Sequence, residues 1–309
     1  MPPGGVGLPD VAGADVRVAH ELVVPRETIT EAMTAPRFEG DPPTHFVSPV
    51  FEEAGVPHLF TTRNFPGVTA FRDPFPPLGE AAQPLLAESG LSSKPMAFLK
   101  QVHGARVINT GAGGLAGDAD ALVTDTPGLP IAVFSADCVP ILLYDPDGRR
   151  LAAVHAGWRG TVQSVARAAA EALVEAGGRP ERFLAAVGPS IGPCCYEVDK
   201  PVIAQLDRAF PGHWGAWVRS VGAGKWMLDL WAANEDQLRG AGIPGDRISN
   251  PRLCTGCRTD LFYSYRRGHH GRLVSIAALP QTTENGPSAS EAERQAGARR
   301  ARLGQPDRQ

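Results

Sequence analysis

Between Met96 and Val154 the chain alternates short, largely apolar runs with tight turns, and this pattern leaves few folds open. Met96-Ala97-Phe98-Leu99, Ala105-Arg106-Val107-Ile108, Ala121-Leu122-Val123-Thr124, Ile131-Ala132-Val133-Phe134, Ile141-Leu142-Leu143-Tyr144 and Leu151-Ala152-Ala153-Val154 all have strand length. Asp125-Thr126-Pro127-Gly128 and Asp145-Pro146-Asp147-Gly148 supply turns between them. The run 151–154 contains no polar residue, which fits a strand buried on both faces.

Helices enter later. Val162, Val165, Ala166, Ala169 and Leu173 recur at helical spacing, and Gly177-Gly178 follows as a stop. Further helices are expected over about 202–210 and 228–238. Strands are expected at 183–187, 262–265 and 273–277. Strands first, then helices between later strands, imply an α/β chain with mixed sheets and helices outside. Residues 43–281 contain no linker and read as one domain. Residues 1–42, rich in Pro, Gly and Ala, read as a low-order extension, with a short strand near 16–24 as the weaker alternative. The polar stretch 282–309 reads as a disordered tail.

A formal charge of −3 leaves no electrostatic footprint for nucleic acid. No apolar stretch approaches membrane-spanning length. Five cysteines without an export signal point to a reducing cytoplasm rather than a disulfide framework.

His103, Cys138 and His155 carry the strongest chemical signal. Each sits at the end of an expected strand beside Gly or Pro, in Gln101-Val102-His103-Gly104, Ala136-Asp137-Cys138-Val139-Pro140 and Val154-His155-Ala156-Gly157-Trp158. Two imidazoles and a thiolate form a ligand set of catalytic zinc with an open fourth position. The same trio also suits a Cys nucleophile with a His base. Their spacing is too wide for a zinc finger. Asp137 is a candidate to orient a ligand histidine or carry a proton, with a turn-capping carboxylate as the alternative.

Four other features have weaker readings. The loop Gly188-Pro189-Ser190-Ile191-Gly192-Pro193 either turns backbone N–H groups toward an anion or is purely structural. Cys254-Thr255-Gly256-Cys257 lacks two evident partners for a structural zinc, and adjacent Cys194 and Cys195 are expected to point apart. Arg63, Arg159, Arg266 and Arg267 are the candidate anion-binding arginines. His269-His270 reads as a solvated turn.

Six ordered segments closely resemble the laccase-domain family, also named multicopper polyphenol oxidoreductases, purine nucleoside phosphorylases and peptidoglycan editing factors. They are Gln101–Gly104, Asp118–Thr124, Ala136–Pro140, His155–Gly160, Gly188–Pro193 and Phe262–Arg267. The resemblance implies a single-domain α/β/β/α fold and His103, Cys138 and His155 as zinc ligands. It implies phosphorolysis of purine nucleosides (adenosine, inosine, guanosine, methylthioadenosine) and adenosine deamination in one pocket. Asp137 and Cys138 are then the expected catalytic residues. Arg63, Gln101, Arg159 and Arg266 are expected to bind substrate, in a protein acting as a cytoplasmic monomer. The chain departs from the family after Thr62-Arg63, where Asn64-Phe65-Pro66-Gly67-Val68-Thr69 replaces a Gly-Gly-Val-Ser-like turn. A copper oxidase is disfavoured, because 8 histidines with no His-x-His pair cannot build a multicopper centre. A metal-free cysteine hydrolase or amidase acting on peptidoglycan precursors remains the other enzymatic reading.

Overall fold

The computed structural model describes residues 35–68 and 78–281. Two mixed sheets are stacked between helical layers. The first has seven strands, in the order Arg37–Glu39, His45–Val47, His58–Thr61, Leu273–Ala277, Ile131–Ser135, Ala97–Lys100 and Gly114–Asp118. The second has six: Ile248–Ser249, Leu184–Val187, Val139–Asp145, Arg150–Ala156, Ala121–Thr124 and Val107–Asn109. A small third sheet joins Glu197–Asp199, Lys225–Leu228 and Val218–Gly222.

The apolar runs explain the layering. Strand side chains alternate faces, so a strand covered on both sides must be apolar throughout. In Val139–Asp145, Leu142 packs between the two sheets with Phe60, Ile131, Val133 and Leu273. Its neighbours Ile141 and Leu143 pack outward against Val165, Ala169, Leu173 and Leu238. On the far face of the first sheet, Leu59, Phe98, Phe134 and Ile276 pack on Leu78, Ala82 and Leu86. The result is the expected α/β/β/α order, helices on the outside.

The helix expected from Val162 onward is two helices, Trp158–Val162 and Val165–Glu175, parted at Ser164, whose φ is 62°. Val165, Ala166, Ala169, Ala170 and Leu173 are its buried face. Gly177, at φ 95°, closes it, and Gly178 N–H reaches back to the Leu173 carbonyl (3.0 Å). The other helices run over Lys200–Ala209 and Leu230–Gly240.

Three expectations need correction. Residues 262–265 are not a strand. Their stretch folds into consecutive turns, with Phe262 N–H on the Arg258 carbonyl and Arg267 N–H on the Ser264 carbonyl. The aromatic spacing there reflects burial of Phe262 and exposure of Tyr265, not sheet pairing. The strand expected at 105–108 lies at Val107–Asn109. Arg37–Glu39, inside the segment read as a low-order extension, pairs with His45–Val47. The possible strand near 16–24 and the 282–309 tail lie outside the described residues. Among the described residues no helix is long and apolar enough to cross a membrane.

Candidate active site and metal centre

The chain crosses from one sheet to the other at residues 136–138, between strands Ile131–Ser135 and Val139–Asp145. Cys138 sits at that crossing. His103 lies in the turn after Ala97–Lys100 of the first sheet, and His155 near the end of Arg150–Ala156 in the second. The packing of the sheets therefore brings the three together. Their ligand atoms lie within 4.8 Å of one another, and the two imidazoles meet edge to face at 4.9 Å.

Asp120 holds this arrangement in place. It is fully buried and follows strand Gly114–Asp118. Its Oδ1 accepts from His155 Nδ1 (2.8 Å) and from the His103 backbone N–H (3.0 Å). Its Oδ2 accepts the backbone N–H groups of Gly104 (2.6 Å) and Val102 (3.2 Å). One carboxylate thus fixes the His103 turn, in which His103 adopts φ 60°. It also sets the His155 tautomer, leaving Nε2 as the free donor atom. Burial pushes the Asp120 carboxyl up, but these bonds, His155 first, outweigh it and hold the group below the usual carboxylate range.

Cys138 is similarly tuned. Burial works to raise its thiol, but the charge of His155 and hydrogen bonds from His103 and His155 bring it down. His155 moves the opposite way: burial opposes its charged form, yet Cys138 and Asp120 overcome that and raise it. Gly157 keeps the centre open. A Cβ there would lie 2.9 Å from Cys138 Sγ and 3.0 Å from His103 Cδ2.

A cavity of about 500 Å³ opens onto the trio, lined by Gln101, Asp137, Trp158, Arg159, Tyr196, Tyr265, Arg266 and Arg272, among others. Two larger cavities, each about 640 Å³, lie elsewhere and contain neither cluster of possible metal donors. Arg159 lays its guanidinium on the Trp158 ring (4.4 Å), and among the described residues that guanidinium donates to no acceptor, while its backbone carbonyl accepts from Gln163 (3.1 Å). Its N–H fork is free for an anion. Arg266 lies over Tyr196 (5.1 Å) and donates to the Glu197 carbonyl (2.9 Å). Tyr265, 70% exposed, stands at the mouth.

The structure gathers some of the expected residues and places others differently. Gln101 lines the cavity, but its amide is occupied by the Phe134 backbone, giving and accepting at 2.7 Å. Asp137, at φ 87°, accepts from the Thr255 hydroxyl (2.6 Å) and the Arg266 backbone N–H (2.7 Å). The carboxylate that orients a histidine is Asp120, not Asp137. Arg63 stands outside the cavity lining, over Tyr263 (5.1 Å) and bonded to the Thr259 carbonyl. Of the two readings of the 188–193 loop, the structural one holds. The N–H groups of Gly188, Ser190, Ile191 and Gly192 all point to protein acceptors. His269 accepts the Ser264 backbone N–H (3.1 Å), and His270 is exposed.

The donor set fits a metal ion. Three converging side chains offer two imidazole nitrogens and one thiol of lowered pKa, and the fourth side faces the cavity. The chain also has clear relatives. Purine nucleoside phosphorylase of Deinococcus radiodurans is 41% identical over 239 residues, covering 73% of this chain and 90% of that one. Adenosine deaminase RL5, from an unknown prokaryote, is 41% identical over 148 residues, 48% of this chain and 56% of that protein. The crystal structure of YlmD from Geobacillus stearothermophilus superposes with a TM-score of 0.69 at 28% identity, covering 80% of this chain and all of that one. Residues 76–280 match the family described as multi-copper polyphenol oxidoreductase laccase. That match takes in strands of both sheets and all three converging donors, and the chain belongs to this family.

Proposed function

We propose that the protein is a zinc-dependent purine nucleoside phosphorylase that also deaminates adenosine. Residues 43–281 act as one catalytic domain, in a cytoplasmic monomer working on adenosine, inosine, guanosine or methylthioadenosine with phosphate. The observation that carries the reading is the convergence of His103, Cys138 and His155 on a cavity that also holds a free arginine fork. The relatives named as phosphorylases and as a deaminase agree with it.

His103, Cys138 and His155 would hold the zinc, whose Lewis acidity would polarise a bound oxygen or purine atom. Arg159 and Arg266 supply positive charge for phosphate, and Arg159 has its donors unspent. Tyr265 and Trp158 offer ring faces to a purine. Asp137 lines the same cavity, and its carboxylate would take or return a proton at the base. Gln101 acts by holding the cavity wall to Phe134.

The test is direct. Purified protein should convert adenosine and phosphate to adenine and ribose-1-phosphate, and Cys138→Ala should abolish this. A wild type without turnover, or a fully active Cys138→Ala, defeats the proposal.

A second reading has its own support. Cys138 beside His155, which is in turn held by Asp120, is also the arrangement of an activated thiol nucleophile. A metal-free cysteine hydrolase or amidase predicts iodoacetamide labelling of Cys138 that zinc does not suppress. Zinc protection of that thiol decides for the phosphorylase.

A further inference from the structure

Four cysteines converge a second time, behind the wall of the cavity. Cys194 and Cys195 come from the turn after the Gly188–Pro193 loop, and Cys254 and Cys257 from the Cys-x-x-Cys segment. All four Sγ atoms lie within 4.8 Å of one another. Cys257 Sγ is 3.4 Å from Cys194 Sγ and 3.5 Å from Cys195 Sγ. A tetrahedral ion with zinc–sulfur bonds of about 2.3 Å needs sulfurs about 3.8 Å apart. The observed spacing suits a single ion. An iron–sulfur cluster interposes inorganic sulfide and spreads its cysteines more widely. Cys257 is nearly equidistant from two thiols, so no pair is singled out for a disulfide.

The surroundings are built for thiolates. Gly192 N–H points at Cys254 Sγ (3.2 Å), and Arg267 Nη2 at Cys195 Sγ (3.3 Å). Arg267 is itself anchored, its Nε on the Gly256 carbonyl (3.0 Å). These donors offset the negative charge that four thiolates carry around one divalent ion. Between the cysteines, Cys257 N–H turns back to the Cys254 carbonyl (3.2 Å). Gly256 leaves the space this turn needs, because a Cβ there would lie 2.9 Å from Cys195 Cβ.

We propose that Cys194, Cys195, Cys254 and Cys257 bind a structural zinc ion that clasps two loops of the cavity wall together. The clasp leads to the cavity through Thr255, between two of its cysteines. Thr255 N–H bonds the Ser190 carbonyl (3.0 Å) and its hydroxyl bonds Asp137 (2.6 Å). Tyr196, next to Cys195, lines the cavity itself. The ion thus fixes Asp137 and Tyr196 by tying down their neighbours. It has no open position and takes no part in chemistry.

The test uses the full chain, purified under reducing conditions without added metal. Elemental analysis should find two zinc ions per chain. Cys194→Ser with Cys257→Ser, both exposed positions, should lower this to one. X-ray absorption of His103→Ala with Cys138→Ala should then show zinc with sulfur neighbours only, at about 2.3 Å. Should the double-serine protein fail to fold, alkylation of the wild type decides. Cys194, Cys195, Cys254 and Cys257 should resist iodoacetamide until a chelator is added. Unchanged zinc content in the folded double-serine protein, free alkylation of all four thiols in native wild type, a disulfide among them in reductant, or iron–sulfur absorption would each overturn the proposal.

Discussion

The two cysteine-containing clusters differ in the one respect that separates chemistry from scaffolding. The trio has mixed donors, three in number, and its fourth side faces a cavity of about 500 Å³. The second cluster has four sulfurs, closed on one another, and N–H groups directed at the sulfurs rather than at a ligand. An open position admits substrate, whereas a closed one only holds the chain. The two are coupled through Asp137, which is one hydrogen bond from Thr255, the neighbour of Cys254, and one residue from Cys138.

Exchanging the damage between the clusters is the sharpest way to break this division. On the proposed function, Cys138→Ala should reduce phosphorolysis on the order of a thousandfold or more, because a metal held by three donors would lose one. Its melting temperature should move by only a few degrees. Cys194→Ser with Cys257→Ser should do the reverse. If the clasp is worth about 3 kcal/mol, the melting temperature falls by roughly 6–12 °C. Turnover per folded molecule should stay within about tenfold. Calorimetry and initial rates on both proteins check this. Equal losses in both readouts would erase the distinction.

A smaller effect should come from the support of the open site. Asp120→Asn keeps one carbonyl oxygen but puts an amide where His155 Nδ1–H and three backbone N–H groups converge. Removing such a support costs roughly 10–100-fold in metal affinity or activity. Zinc titration should show weaker binding at the trio while the thiol cluster keeps its ion. Simultaneous loss of both ions would mean that Asp120 supports the fold rather than the site.

The sequence made some of this legible and hid the rest for physical reasons. His103, Cys138 and His155 each lie in a distinctive local segment, so all three stood out before any geometry was known. Asp120 sat in the quoted segment Asp118–Thr124, but its role depends on a histidine paired to it only through the sheet register. The thiol cluster was invisible for a similar reason. Cys194 and Cys195 are neighbours, and neighbours on a strand point apart. Here the chain turns instead, with the N–H groups of both Cys195 and Tyr196 on the Gly192 carbonyl (2.9 and 3.0 Å). Both sulfurs thus come within 3.5 Å of Cys257 Sγ. The layers were readable because wholly apolar strands demand cover on both faces. The turn at 262–265 was not, since alternating aromatic burial looks alike in a strand and in packed turns.

Two buried histidines give the same lesson at the smallest scale. His155 faces a carboxylate and a thiol, and its pKa is raised. His58, in the strand His58–Thr61, faces backbone: Nδ1–H donates to the Val56 carbonyl (2.8 Å), and Nε2 accepts the Ser48 N–H (2.7 Å). Burial, the dominant cause, lowers its pKa to about 4 against the opposing pull of the Val56 hydrogen bond and the Glu52 charge, and the nearby His45 adds to the lowering. Protonation would set a new N–H against the Ser48 N–H. In the unfolded chain the ring takes up its proton near pH 6.5. The unfolded state therefore binds more protons between about pH 6.5 and pH 4, and stability must fall as pH falls through that window. This one group should cost about 2 kcal/mol between pH 7 and pH 5. His58→Gln removes the titration, so its unfolding free energy, though lower at pH 7, should change less between those two pH values. Urea unfolding of both proteins at the two pH values measures the difference. Parallel slopes would show that the His58 ring takes up its proton in the folded core as readily as in the unfolded chain, and that burial does not hold its pKa down.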